Sequence, residues 1–81
     1  MARPSPSHSG SSALVALGAA VRSARVERGL SQEALAHEVG LDRSYVGGVE
    51  RGEHNITLVN LLRIAERLEV TGSALLEAAG L

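Results

Sequence analysis

The stretch that most constrains the fold lies between Gln32 and Arg51, where two short segments with helical apolar spacing flank a single glycine, Gly40. Ser31 stands before the first segment, where its hydroxyl can accept the unpaired N–H groups of a helix start, and Glu33 follows in the first turn, where the helix dipole favours a negative charge. Leu35, Ala36 and Val39 then share one face. Gly40 suits a helix end that turns through the left-handed region. Asp42 is placed to cap a second segment, Arg43 to Arg51, with Val46 and Val49 three residues apart and Gly52 closing it. For two helices to pack across so short a turn, Leu35 and Val46 must touch, and Ala36 must be small where they approach. Leu41 and Val49 complete the inner face. These are the requirements of a helix-turn-helix.

The rest of the chain supplies helices for that unit to rest on. Leu14, Leu17, Val21 and Ala24 recur at helical spacing in a first helix that ends near Gly29. Thr57 precedes a fourth helix, Leu58 to Leu68, and a fifth runs from Gly72 to Ala79. No segment alternates as a strand would, so the predicted class is all-α, a compact five-helix domain over residues 13–81. Residues 1–12 are rich in Ser, Pro and Gly and are expected to form a disordered tail. With one Tyr and no Phe or Trp, the core must be built from Leu, Val, Ile and Ala. A single core of this size supplies roughly 3 to 5 kcal/mol, and the absence of Cys removes disulfides and thiolate metal sites, so association between copies is an expected source of stability. The longest apolar run, Ala13 to Val21, falls short of the ~18 residues a membrane span needs, which points away from a membrane and toward the cytoplasm.

Few residues suit catalysis. The three His are scattered, no acids pair at a coherent spacing, and His37 and Glu38, being adjacent, point to different sides of a helix. The chain is therefore read as a non-enzyme that needs no cofactor and no small-molecule ligand. Its 8 Arg stand against 9 acids with no Lys, so the net charge of −1 does not announce a nucleic-acid partner, and any such site must be a local patch.

The run Gly-Leu-Ser-Gln-Glu-Ala-Leu-Ala-His-Glu-Val-Gly-Leu-Asp-Arg-Ser-Tyr-Val-Gly-Gly-Val-Glu-Arg-Gly, residues 29–52, resembles the phage lambda repressor-like (Cro/C1, XRE) DNA-binding domains. The resemblance extends over residues 13–79. Within that group, Leu-Asp-Arg-Ser-Tyr-Val followed by Val-Glu-Arg-Gly-Glu-His-Asn-Ile-Thr-Leu is similar to the controller proteins of restriction-modification systems. This implies a lambda repressor-like fold and a sequence-specific transcriptional regulator that binds a double-stranded DNA operator upstream of its own gene as a homodimer. A phage-type or antitoxin-type repressor and a helix-turn-helix protein-interaction module are the alternatives. The formal charge of −2 over residues 13–81 (7 Arg, 9 acids) favours the last, although a dimer reading two half-sites combines the contacts of both copies.

In a helix-turn-helix, the start of the second helix enters the major groove, which assigns base reading to Arg43, Ser44, Gly47 and Gly48. Arg43 can pair with guanine O6 and N7, a contact giving about 1–3 kcal/mol of discrimination, and at a helix N-terminus its charge brings no helix stability. Gly47 and Gly48 each lose roughly 1 kcal/mol relative to Ala inside a helix. Either a bare backbone approaches the DNA closely, or another helix packs tightly there, or the positions carry no demand and have drifted. Tyr45 is expected off the innermost face with its hydroxyl reaching the DNA backbone. Arg51 and Asn55, in a polar connection with His54 and Thr57, are assigned to the backbone too. The resemblance implies a further phosphate contact from Gln32 and an ion pair between Arg25 and Glu50 that is architectural. Leu75, Leu76 and Leu81 exceed the needs of a small core, and the fifth helix with the end of the fourth is the expected dimer interface.

Overall fold

A computed structural model describes residues 11–81, which form five helices: α1 (Ser12–Glu27), α2 (Gln32–Val39), α3 (Arg43–Glu50), α4 (Leu58–Arg67) and α5 (Gly72–Ala78). Hydroxyl caps open four of them: Ser11, Ser31, Thr57 and Thr71 accept from the backbone N–H groups of Leu14, Ala34, Asn60 and Ala74 at 3.2, 3.0, 3.1 and 3.0 Å. Asp42 occupies the corresponding position before α3 without making a side-chain capping bond. The expected boundary at residue 13 moves back accordingly, because Ser11 caps α1 and Ser12 is its first residue. Residues 1–10 of the expected tail lie outside the described residues.

The turn between α2 and α3 is made by Gly40 at φ 72°, ψ 32°, and the Leu41 N–H reaches back to the Ala36 carbonyl at 2.9 Å. This closure satisfies a helix-end carbonyl and drives the chain directly into α3. Leu35, Ala36 and Val46 then meet in a core completed by Leu17 and Val21 from α1, Leu61, Ile64 and Ala65 from α4, Leu68, and Leu75 from α5.

Two glycines set how closely α1 approaches α3. A Cβ on Gly18 would stand 2.3 Å from the Val49 carbonyl oxygen and 2.6 Å from that of Glu50. On Gly52, at φ +76°, it would stand 2.7 Å from the Val15 Cα. The C-terminal end of α3 thus lies close against the backbone of α1.

Candidate nucleic-acid interface

The buried half of α3 determines which half is free. Val46, Gly47, Gly48, Val49 and Glu50 are buried, whereas Arg43 and Ser44 in the first turn are exposed. Arg43 takes no part in the four ion pairs found among the described residues, so its guanidinium is not committed to a carboxylate.

Glu50, at the inner end of α3, is held by a charged network. Arg25 Nε and Nη2 donate to the two carboxylate oxygens at 2.6 and 3.0 Å, and its Nη1 donates to the Leu30 carbonyl at 2.6 Å. Both residues are 8% exposed. The hydrogen bond to Glu50 holds the Arg25 pKa above its ordinary value, against the opposing effect of burial. Gln32 Nε2 adds a third donor to the carboxylate at 2.9 Å, linking the first turn of α2 to the last turn of α3. α1, α2 and α3 are therefore tied together at one carboxylate, in a bidentate pair with no unpartnered buried side-chain atom among the described residues.

The other expected contacts surround α3. The Tyr45 hydroxyl oxygen accepts from Asn60 Nδ2 of α4 at 3.2 Å, and its ring stacks on His54 with centroids 4.9 Å apart and planes at 19°. Arg51 pairs with Glu53 at 2.9 Å in the connection after α3. Their hydrogen bond raises the Arg51 pKa and lowers that of Glu53. Asn55 is exposed in the same connection.

Two expectations need correction. Gly47 and Gly48 do not present bare backbone to the exterior, because neighbouring side chains cover both. A Cβ at Gly47 would meet Arg51 Nη1 at 3.0 Å and Gln32 Oε1 at 3.4 Å, and one at Gly48 would stand 2.4 Å from His54 Cδ2 and Nε2. At Gly48 the small size makes room for the His54 ring, which accounts for one helix-breaking residue in this eight-residue helix, whereas at Gly47 the closest atom is the far end of Arg51. Leu75 belongs to the monomer core at 2% exposure and is removed from the expected dimer surface. Leu76 and Leu81 remain exposed, and α4 adds Leu58, Val59 and Leu62, which sequence reasoning missed. The Leu62 side chain lies over Gly72, one turn before Leu76 on α5, so the exposed apolar residues continue from α4 onto α5.

His54 and Asn60 were also missed as partners of Tyr45. A polar residue at 60 between Val59 and Leu61 was the only signal, and it does not identify a contact fifteen positions away.

Comparison with known proteins agrees with this geometry. A family profile described as Helix-turn-helix matches residues 21–75. Control protein C.SmaI of Serratia marcescens is 48% identical over 61 residues, covering 75% of this chain and 73% of the relative. The crystal structure of the restriction-modification controller protein C.AhdI from Aeromonas hydrophila superposes with a TM-score of 0.75 at 53% identity, over 76% of this chain and 94% of that one. The hypothetical transcription factor NHTF from Neisseria gives 0.77 at 39% identity, over 93% and 84%. Among the described residues, no helix is long and apolar enough to cross a membrane.

Proposed function

The chain belongs to the helix-turn-helix family and, within it, to the restriction-modification controller proteins, and from that premise we propose that it binds operator DNA upstream of its own gene as a homodimer. It is a DNA-binding transcriptional regulator, and α3 is its reading helix. The observation that carries the proposal is the exposed first turn of α3, with Arg43 uncommitted, on a helix whose other end is fixed by the Arg25–Glu50–Gln32 network.

Arg43 reads guanine through its paired N–H groups, and Ser44 contacts the neighbouring base edge. Positioning on the DNA backbone falls to Gln32, Tyr45, Arg51 and Asn55. Gln32 has two amide N–H groups and gives one to Glu50, so the other can serve a phosphate oxygen. Arg51 exchanges Glu53 for phosphate on binding, a substitution of one anion for another at an exposed site. The apolar surface of Leu58, Val59, Leu62, Leu76 and Leu81 is what a second copy covers, which fits the two-fold symmetry of a palindromic operator. Regulation of this kind takes place in the cytoplasm.

The test is a fluorescence-anisotropy titration on DNA from upstream of the gene and on scrambled DNA, at two salt concentrations, with Arg43→Ala alongside. Specific binding that weakens with salt and collapses in a folded Arg43→Ala variant is the expected result. Equal binding to both DNAs by folded protein refutes the proposal. Leu62→Glu should convert the dimer to monomer in sedimentation equilibrium. A persistent dimer would exclude this face.

A further inference from the structure

Tyr45 is held on two sides by residues with no role in the helix-turn-helix itself. Asn60 Nδ2 donates to its hydroxyl oxygen at 3.2 Å, and the His54 ring lies against its face at 4.9 Å between centroids. The imidazole fits there because position 48 is glycine, since a Cβ at that point would stand 2.4 Å from two atoms of the ring.

A phenol carries one proton and two lone pairs, whereas a phosphate oxygen only accepts. The direction of the Asn60 bond therefore matters. With the amide as donor, the phenol oxygen is an acceptor toward the protein, and no acceptor among the described residues takes its proton. Accepting one hydrogen bond also polarises the O–H and makes it a better donor. We propose that Asn60 and His54 are positioning residues for Tyr45: the stack fixes the ring, and the amide leaves the hydroxyl proton for a DNA phosphate oxygen. Gly48 is the recess that admits the stack. This rests on the operator-binding reading above and adds two residues and a hydrogen-bond direction to it.

The test is a four-protein cycle of wild type, Tyr45→Phe, Asn60→Asp and the double variant, titrated on the upstream DNA with circular dichroism confirming the fold. Asp keeps the size of Asn and still bonds the phenol, but as an acceptor, so it takes the proton away from the phosphate. Tyr45→Phe should weaken binding about 10- to 150-fold, as expected for a hydrogen bond to a charged group, without changing the salt dependence, since a neutral hydroxyl displaces no counterion. Asn60→Asp also adds a charge that repels DNA in both backgrounds. Its effect should therefore be about 3- to 10-fold larger with Tyr45 present than in the Tyr45→Phe background. A merely structural tie would survive in Asp, and equal effects in the two backgrounds overturn the assignment.

For His54, the conservative variant is aromatic. His54→Phe should bind DNA within about 2-fold of wild type, while His54→Ala loses about 3- to 10-fold and changes the fluorescence of the free protein, in which Tyr45 is the only Tyr and Trp is absent. If His54→Phe binds as weakly as His54→Ala, the imidazole acts through its own polar contact and its positioning role is refuted. If Tyr45→Phe binds normally while Arg43→Ala destroys specificity, this inference fails and operator binding stands. Loss of specificity in wild type defeats both.

Discussion

Replacing Gly18 by alanine should destabilise the domain, although the same change at Gly47 should stabilise it. In an isolated helix each substitution favours the helical state by roughly 1 kcal/mol. At position 18, however, the added methyl would lie 2.3 Å from the Val49 oxygen, 2.6 Å from the Glu50 oxygen and 2.8 Å from the Glu50 carbonyl carbon. A carbon normally approaches a carbonyl oxygen no closer than about 3.3 Å, so α1 and α3 must separate by roughly 1 Å. The obstructing atoms are backbone and cannot rotate away. Overpacking of this kind costs about 1–3 kcal/mol, and the shift also stretches the contact between Arg25 and Glu50, whose carboxylate is carried by the displaced segment. After the propensity gain, a net loss of about 1 kcal/mol is expected, which in a domain this small lowers Tm by about 4–8 °C. At position 47 the nearest atom is the far end of Arg51 at 3.0 Å, which can move aside, so Gly47→Ala should gain about 0.5–1 kcal/mol. Thermal and urea denaturation followed by circular dichroism measures both. A Gly18→Ala variant as stable as wild type would refute the close-approach argument.

Other perturbations separate stability from DNA binding. Glu50→Ala leaves the Arg25 charge buried with the Leu30 carbonyl as its remaining partner, and should lose about 3–5 kcal/mol in urea denaturation, enough to unfold much of the population. Glu53→Gln frees Arg51 for phosphate and should tighten operator binding about 2- to 5-fold, with a steeper salt dependence in anisotropy titrations. Because Arg51 lowers the Glu53 pKa in the fold, the stabilisation from that pair is present above the unfolded carboxylate value of about 4.3 and disappears as pH falls through the folded value. The stability difference between Glu53→Gln and wild type should therefore close in acid, as followed by denaturation at a series of pH values. Glu69 sits at φ 60°, so Glu69→Gly relieves left-handed strain of about 1 kcal/mol while losing an exposed pair with Arg28 that contributes little, and a modest rise in Tm is expected.

What the sequence disclosed was local. Ser31, Gly40 and the spacing of Leu35, Val46 and Val49 predict the helix, the turn and the second helix, because capping, left-handed turns and apolar periodicity act within a few residues. Arg25 and Glu50 are 25 positions apart, and their expected pairing came from the family resemblance, since no spacing rule reaches that far. Gly47 and Gly48 invited a reading in which DNA fills the vacant space. The occupants are Arg51, Gln32 and His54, folded over α3 from beyond its ends. Leu75 and Leu76 are neighbours on a seven-residue helix, too short for its periodicity to decide which one turns inward. The serines at 11 and 12 read as tail by composition, yet one serine hydroxyl is enough to open α1.

The unequal exposure of α3 also bears on how such regulators diverge. Arg43 and Ser44 touch solvent, while the five residues from Val46 to Glu50 are enclosed by the rest of the domain. With base reading by Arg43 and Ser44 as proposed, mutations at these two positions redirect the protein to a new operator without disturbing the scaffold, and mutations in the last five are screened first by whether the chain still folds. Related chains can therefore drift apart in target while remaining superimposable, and two of them in one cell could keep their operators separate through differences confined to a single helical turn.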